Sequence, residues 1–276
     1  MENLVTGADT AAWVAWHRTI ETRRRDALFR DPLAAILAGD RGEQVARRMN
    51  RGSATRGAWT TIVRTVLIDE LIARSLDDGV DRVVNLAAGY DTRPYRLALP
   101  GAVRWIEVDT PDVLDRKRAL LAGERPRCPL ERCPADLRDE AQRARVLEQA
   151  LDGASSALVI SEGLLVYLPE DIVRALARDL CAHQLVRFWI TDLASPLVRR
   201  GMRKKAHLVA PDARWRFAPA DGADFFEALG WPATDIRAVL PEARRLKRLP
   251  WILRAVVAFD RNPRRPWGAV IRCQRR

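Results

Sequence analysis

Short apolar runs alternate with longer amphipathic segments after Gly79, and this alternation restricts the fold more than any other feature of the chain. The apolar runs suit buried strands, and segments such as TPDVLDRKRALLAG and PEDIVRALARDLCAH suit helices. A strand–helix–strand rhythm of this kind produces a parallel sheet with helices on both faces. We therefore predict an α/β protein with a doubly wound sheet whose strands are RVVNLAA, VRWIEVD, the segment before Ala135, SALVISE and RFWITDL.

The residues before this alternation are predicted to be helical. Asp31 and Pro32 suit the N-cap and the first position of a helix. The segment TTIVRTVLIDELIARSL places its apolar residues on one helical stripe. We therefore predict an N-terminal helical cap, residues 1–78, that contributes to a ligand pocket.

The remainder, residues 79–276, is predicted to form the sheet domain, with a basic insertion around residues 195–225. At the end of the chain, WILRAVVAFD is expected to form a helix. The last segment, WGAVIRCQRR, is expected to form an antiparallel edge strand. The sheet is thus predicted to be mostly parallel.

Composition excludes several classes of protein. Of the 276 residues 48% are apolar and 30% charged, which is enough to bury a core and too apolar for a disordered chain. The longest apolar runs are shorter than the roughly 18 residues of a membrane span, and no secretory signal is recognisable. Four scattered cysteines form neither a disulfide framework nor, at Cys128 and Cys133, a complete zinc site. We expect a cytoplasmic protein without a metal and without a membrane partner.

The net charge of +11 is concentrated in the last third of the chain. From Ser195 onward there are 19 Lys and Arg residues against 7 Asp and Glu residues, whereas the first 194 residues sum to −1. Nucleic acid, an anionic membrane and an acidic small substrate are all partners that such a segment attracts. A solvated basic face with no partner is the remaining alternative, and charge alone does not separate the four.

The stretch VVNLAAGYDTRPYRL has the layout of a nucleotide cradle, in which a strand, a small-residue turn and a helix follow one another. Asp109 lies 20 residues after Gly89 at the end of the next strand, where an acid accepts hydrogen bonds from ribose hydroxyls. A dinucleotide site needs G-x-G-x-x-G, but Ala87 and Thr92 occupy two of the three glycine positions. No P-loop pattern is present. A nucleoside cofactor without phosphates, such as S-adenosylmethionine, needs neither pattern.

At this point the chain resembles a known family. NLAAGYDTRPYRL, WIEVDTPDVLDRKRALL, PADLRD and ISEGLLVYLP follow one another as in the leucine carboxyl methyltransferase family, whose bacterial branch includes O-methyltransferases of polyketides and other natural products. RTIETRRRDALFRDPLAAILAG and IVRTVLIDEL are similar too, so the resemblance covers roughly residues 10–193. It implies a class I methyltransferase-like fold and an S-adenosylmethionine-dependent O-methyltransferase.

The resemblance also implies roles for individual residues. Arg64 matches an arginine that meets the carboxylate of the cofactor, and Asp109 matches the acid that binds the ribose. Asp136 and Leu137 match the pair on either side of the adenine, although Asp136 equally suits the N-cap of the next helix. The predicted cofactor contacts are Arg64, Ala87, Ala88, Gly89, Asp91, Asp109, Asp136, Leu137 and Glu162.

Asp91 suits either a contact with the amino end of the cofactor or a cap on the following helix. Glu107 lies two residues before Asp109 on the same strand face, so it is a further candidate for the pocket. Glu162 follows the fourth strand, where an unpaired buried acid is costly, so a functional role is favoured.

The methyl acceptor is predicted to be a small molecule or peptide with an acidic group. A carboxylate is already ionised at neutral pH, whereas a hydroxyl needs a general base. None of the three histidines lies in a matched motif, and His17 and Glu162 are the weak catalytic candidates. Tyr167, Arg199 and Arg203 are the candidates for substrate contacts, with Lys204 and Lys205 beside them.

Two other functions stay open. The basic last third suits a nucleic-acid methyltransferase, but SEGLLVYLP stands where such enzymes carry an Asn/Asp-Pro-Pro-Tyr/Phe stretch, and basic residues are not interleaved with aromatic ones. A non-catalytic protein that retains a nucleoside pocket is the second alternative. The identity of the acceptor and the oligomeric state are not predicted.

Overall fold

The computed structural model describes residues 4–255, 257, 260, 262 and 264–276. Its centre is a seven-stranded sheet in the order β3-β2-β1-β4-β5-β7-β6, in which the first five strands run parallel and β7 runs antiparallel to both of its neighbours. The strands are β1 (Arg82–Leu86), β2 (Arg104–Asp109), β3 (Leu130–Pro134), β4 (Ala157–Ser161), β5 (Val186–Ala194), β6 (Ala233–Ala238) and β7 (Gly268–Gln274).

Helices lie on both faces of the sheet, as the alternating sequence predicts. None of the helices that the structure describes combines the length and apolar character needed to cross a membrane. The helices are α1 (Gly7–Thr22), α2 (Ala34–Met49), α3 (Ala58–Asp77), α4 (Arg93–Arg96), α5 (Pro111–Leu120), α6 (Glu140–Leu151), α7 (Glu170–Ala182), α8 (Pro196–Arg203), α9 (Asp224–Glu227) and α10 (Val239–Arg245).

Two apolar layers hold the helices to the sheet. On one face, α3 presents Leu67 and Leu71 to strand residues such as Trp105, and α10 packs beside it. On the other face, α6 and α7 bury their apolar stripes against the alternate residues of the same strands, including Trp189. The strands are therefore apolar on both sides, which is why they appear in the sequence as continuous apolar runs.

The first two helices pack along each other and on the turn that follows β1. Ala15 of α1 and Leu37 of α2 share an apolar cluster with Tyr90, which belongs to that turn. The buried Arg18 guanidinium pairs with Asp31 at 2.8 Å and also donates to the carbonyl of Tyr90. The N-terminal helices are thus fixed over the carboxyl ends of the central strands.

The region around Asp31 differs slightly from the sequence prediction. Asp31 does accept a hydrogen bond from the backbone N–H of Ala34, at 3.1 Å, but α2 begins only at Ala34. The same carboxylate also accepts a hydrogen bond from the hydroxyl of Thr92, at 2.6 Å. Asp31 therefore connects the helix start to the cradle, in addition to its local capping role.

The antiparallel strand predicted at the C-terminus is confirmed as β7, but it lies one place inside the edge of the sheet. The edge position belongs to β6, whose sequence ATDIRA has too weak an apolar pattern to be recognised as a strand. Of the helix expected in WILRAVVAFD, the structure describes one 3₁₀ turn, Trp251–Leu253. Residues 256, 258 and 259 of that segment lie outside the described residues.

Part of the basic charge in the last third of the chain is paired with acids elsewhere in the protein. Arg248, for example, pairs at 2.7 Å with Glu21, a buried residue of α1. Internal pairing of this kind reduces the positive charge that is available to bind an external partner. The arginines of this segment that form ion pairs include Arg237, Arg245, Arg248, Arg264, Arg265, Arg272 and Arg276.

Candidate functional site

A cavity of about 1070 Å³ lies at the carboxyl ends of β1, β2, β4 and β5, beneath α1 and the segment that follows α8. This is the edge at which doubly wound sheets bind ligands. The volume is at the upper end of the range for small-molecule sites, so the cavity has room for two ligands side by side. All nine predicted cofactor contacts line it: Arg64, Ala87, Ala88, Gly89, Asp91, Asp109, Asp136, Leu137 and Glu162.

The turn after β1 forms the floor of the cavity. Gly89 takes a positive φ of 47°, and its N–H donates to Asp109 at 2.7 Å. Ala87 also takes a positive φ, 53°, which an alanine adopts only at some cost. The small side chains keep the floor open to a ligand.

Asp109 is the acid at the end of β2. It accepts a second backbone hydrogen bond from Thr110 at 2.8 Å. Burial raises the pKa of Asp109, while the N–H groups of Gly89 and Thr110 act in the opposite direction. Two carboxylate oxygens offer about four acceptor sites, so those that remain can receive ribose hydroxyls.

Asp91 is held within the protein rather than presented freely to a ligand. Its carboxylate accepts from the backbone N–H of Arg93 at 2.9 Å and from Asn85 Nδ2 at 2.7 Å. Burial alone would raise the pKa of Asp91, but the nearby Arg93 guanidinium outweighs it and lowers the pKa far below the usual range. The carboxylate thus bonds to the first N–H of α4, although the N-cap residue of that helix is Thr92, and Asp91 also lines the cavity.

Arg64 forms ion pairs with two acids, Glu162 just after β4 and Asp192 near the end of β5. Its Nε lies 2.8 Å from Glu162, and its Nη1 lies 3.1 Å from Asp192. Glu162 also accepts a hydrogen bond from Nη1 of Arg93, at 2.7 Å. Burial would raise the pKa of Glu162, but Arg93 and Arg64 together lower it. The partner that a buried Glu162 requires is therefore a pair of arginines within the protein.

Asp136 and Leu137 lie on the cavity wall after β3. Asp136 accepts the backbone N–H of Arg138 at 2.9 Å and also pairs with its guanidinium. The alternative role of Asp136 as the N-cap of α6 is wrong, because Asp139 accepts the capping hydrogen bond from Gln142. Leu137 is buried and supplies an apolar surface beside it.

Glu107 is not part of the cavity wall. Its carboxylate is fully buried between β2 and α5, where it accepts from Lys117 at 2.7 Å and from Arg132 at 3.0 Å. The suggestion that it shares the pocket with Asp109 is therefore wrong. Although both residues have the same strand-face parity, Asp109 is the last residue of β2 and lines the cavity, whereas Glu107 lies two residues further inside the strand.

Of the three candidate substrate residues, only Tyr167 lies on the cavity wall. Tyr167 lines the cavity from the 3₁₀ turn Leu165–Tyr167, and burial raises its pKa. Arg199 donates to the carbonyl of Arg216 at 2.6 Å, and neither Arg199 nor Arg203 contributes to the cavity wall. Lys205, from the same basic segment, does line the cavity.

His17 lies on the cavity wall, almost fully buried, with Nδ1 at 2.9 Å from the hydroxyl of Thr61. Burial, followed by the charges of Arg64 and Arg18, lowers its pKa to about 3. A histidine with so low a pKa stays neutral at physiological pH and is a weak proton acceptor. The position fits the prediction of a pocket residue, but the electrostatics disfavour a general base.

We expect His17 to make folding stability depend on pH. Between pH 6.5 and about 3 the unfolded chain binds a proton at His17 that the folded chain does not. Stability therefore falls as the pH is lowered through this window, by at most about 1.4 kcal/mol per pH unit. Urea unfolding of wild type and His17→Asn at several pH values should show a shallower dependence in the variant. His207→Asn, at an exposed histidine, should leave the slope unchanged, and an equal slope in His17→Asn would contradict the assignment.

Two site residues are missed by sequence reasoning. Asp192 lies near the carboxyl end of β5, two residues before its last residue, and the rule that ligands bind at carboxyl ends of strands was sufficient to select it. Its carboxylate pairs with Arg64 and accepts from the backbone of Gly163 at 2.6 Å. Arg93 has no such signal. It pairs locally with Asp91, but its other partners, Asp69 and Glu162, are distant in sequence.

Comparison with known proteins agrees with this geometry. The model of the family described as leucine carboxyl methyltransferase matches residues 11–181. A protein of Frankia alni, provisionally named an S-adenosyl-L-methionine-dependent methyltransferase, is 35% identical over 236 residues, which span 81% of this chain and 82% of that protein. One of Streptomyces coelicolor with the same provisional name is 39% identical over 60% of this chain and 62% of its own.

Solved structures support the fold. A DUF574 family protein of Streptomyces avermitilis superposes with a TM-score of 0.58 at 14% identity, covering 95% of this chain and 97% of that one. A protein of Thermobifida fusca, provisionally described as a methyltransferase, gives a TM-score of 0.55 at 15% identity, with coverages of 85% and 94%. Since the family model spans more than half of the chain, the protein belongs to the leucine carboxyl methyltransferase family and is a methyltransferase that uses S-adenosylmethionine.

Proposed function

We propose that the enzyme methylates the carboxylate of a small natural-product acceptor with a largely apolar body. The observation that carries this proposal is the absence of an effective proton acceptor among the described residues around Arg64. Glu162 and Asp192 are both engaged by its guanidinium. His17, with a pKa of about 3, is a weak base. An acceptor that is already ionised needs no base, and a carboxylate meets that requirement.

The cavity walls support an acceptor with an apolar body. Beyond the nine predicted cofactor contacts, the wall includes residues of α1, α8 and the segments around Trp215 and Leu253. Apolar walls with few polar groups are typical of sites for small organic molecules. The apolar side chains on this part of the wall include Val14, Val198, Met202, Trp215, Leu253 and Trp267.

The residues of the floor suit the proposed cofactor. When bound, S-adenosylmethionine supplies a methyl group that is activated by a sulfonium. Asp109 retains acceptor sites for ribose hydroxyls, and Leu137 offers an apolar surface for the adenine. The floor lacks the glycine triad that a pyrophosphate needs, which agrees with a cofactor without phosphates. The contribution of the protein is then mainly to hold two ligands in alignment.

The test is the chemical nature of the product. Purified protein is incubated with S-adenosylmethionine carrying a tritiated methyl group and with apolar carboxylic acids, each beside its matched primary alcohol and amide. A methyl ester releases tritiated methanol in mild alkali, whereas an ether or an N-methyl amide retains the label. We expect carboxylates to react at least about 100-fold faster than the alcohols, because general-base catalysis contributes that factor where an enzyme provides it.

Transfer to the alcohols at equal or higher rates would overturn the proposal, as would an alkali-stable product from the acids. Asp109→Ala is the control for label that enters without cofactor binding.

A further inference from the structure

Three buried polar atoms on the cavity wall have no hydrogen-bond partner among the described residues. They are Nε1 of Trp13, Nε2 of His17 and Nδ2 of Asn50. A buried polar group without a partner costs free energy, so such groups are uncommon in folded proteins. Three of them on one cavity indicate that a ligand supplies the missing partner.

The three side chains come from neighbouring elements. Trp13 and His17 lie one turn apart on α1, with their rings edge to face and the ring centroids 5.4 Å apart. Asn50 is the C-cap residue of α2, which packs along α1. Trp13 also packs against an apolar cluster that contains Met49, the residue before Asn50. The unpartnered groups therefore belong to the same part of the cavity.

The chemistry of these groups requires a ligand that accepts hydrogen bonds. The indole Nε1–H and the amide Nδ2–H₂ are donors only. When the Thr61 hydroxyl donates to Nδ1 of His17, the imidazole proton lies on Nε2 and that atom is a third donor. A ligand that accepts from all three carries an oxygen with several lone pairs.

The surrounding charge favours an anion. Lys205 lines the same cavity, and no acidic side chain pairs with it in the described part of the chain. Burial, followed by the charges of Arg51 and Arg56, lowers the pKa of Lys205. Arg64 and Arg18 act on His17 in the same way. Donors in a positive environment select an anionic oxygen.

We propose that Trp13, His17, Asn50 and Lys205 form a donor seat that binds the carboxylate of the methyl acceptor. This inference rests on the proposed function, because it names the residues that recognise the same group. His17 and Arg64 line the same cavity, so the donor seat shares that cavity with Glu162 and Asp192, the two acids that pair with Arg64. The anion is thereby brought to the edge of the sheet at which the predicted cofactor contacts lie.

The experiment compares two substitutions on one helix. Trp13→Phe keeps the aromatic body and removes only the unpartnered N–H. Trp16→Phe is the matched control, since Nε1 of Trp16 donates to the carbonyl of Ala54 at 2.9 Å and Trp16 does not line the cavity. Protein saturated with S-adenosylhomocysteine is titrated calorimetrically with medium-chain and arylacetic carboxylates and with their matched alcohols.

We expect wild type to bind carboxylates of this panel and to bind the matched alcohols at least about tenfold more weakly. Trp13→Phe should lose about tenfold in carboxylate affinity, and its affinity for S-adenosylhomocysteine should not change. Lys205→Met should weaken the same binding and reduce its dependence on salt, because the lost contact is ionic. Trp16→Phe should bind the carboxylates like wild type.

The donor seat is overturned if no carboxylate of the panel binds, if the alcohols bind equally well, or if Trp13→Phe matches Trp16→Phe. Failure of the proposed function gives a different result. The carboxylates then bind and Trp13→Phe lowers their affinity, but no alkali-labile methyl ester forms. The titration therefore decides recognition, and the product assay decides reaction.

Discussion

Replacing Asp109 by Ala is expected to weaken S-adenosylhomocysteine binding by at least about 100-fold. The substitution removes the acceptor proposed for the ribose hydroxyls, and hydrogen bonds to charged groups contribute about 1.5–3 kcal/mol each. It also removes the partner of the Gly89 N–H, so the turn that forms the floor loses its anchor to β2. Calorimetric titration of wild type and variant with S-adenosylhomocysteine measures both effects together.

Two further variants separate these contributions. Asp109→Asn keeps an oxygen for Gly89 and removes the charge, so an intermediate affinity is expected. Asp115→Ala removes an exposed carboxylate of α5 that pairs with Arg118, and it should bind like wild type. If Asp109→Ala retained wild-type affinity with an unchanged melting temperature, the assignment of the ribose acid would be incorrect.

The sheet and its ligand edge could be predicted from the sequence because both depend on local patterns. Strands buried on both faces appear as apolar runs, and residues just beyond them, such as Asp109 and Glu162, lie at one edge by the geometry of parallel strands. Strand β6 could not be predicted in this way, because it lies at the edge of the sheet and is only half buried. Its polar residues remove the apolar signal.

The ion pairs of the site could not be predicted from the sequence. Arg64 meets Glu162 and Asp192 across separations of 98 and 128 residues, and only the completed fold brings them together. Sequence reasoning predicted that Glu162 requires a partner but could not identify it. The same limit applies to Arg199 and Arg203, which resembled Lys205 in sequence although only Lys205 lines the cavity.

The donor seat illustrates a third limit. The spacing of Trp13 and His17 places both on one face of a helix, which is visible in the sequence. Whether such residues are satisfied, buried or open to a ligand depends on α2 and on the segment after α8, which are distant in sequence. A lone histidine therefore suggested a base, whereas its surroundings indicate a neutral hydrogen-bonding group.

Replacing Glu107 by Leu is expected to give the largest loss of stability, about 3–5 kcal/mol. Glu107 and Lys117 form an ion pair at 2.7 Å in which neither side chain is exposed to solvent. Removing the carboxylate leaves a buried ammonium without its partner, and breaking a buried pair in this way has a cost of that size. Urea unfolding followed by far-ultraviolet circular dichroism measures the free energy of unfolding.

The double variant Glu107→Leu with Lys117→Met tests the cause. When both charges are removed the uncompensated ammonium is gone, so we expect most of the lost stability to return, even though Arg132 still loses its contact with Glu107. Glu43→Leu is the control, because its pair with Arg47 is exposed on α2 and should contribute less than about 1 kcal/mol. A double variant as unstable as Glu107→Leu alone would show that packing around Glu107, rather than the charge left on Lys117, determines the loss.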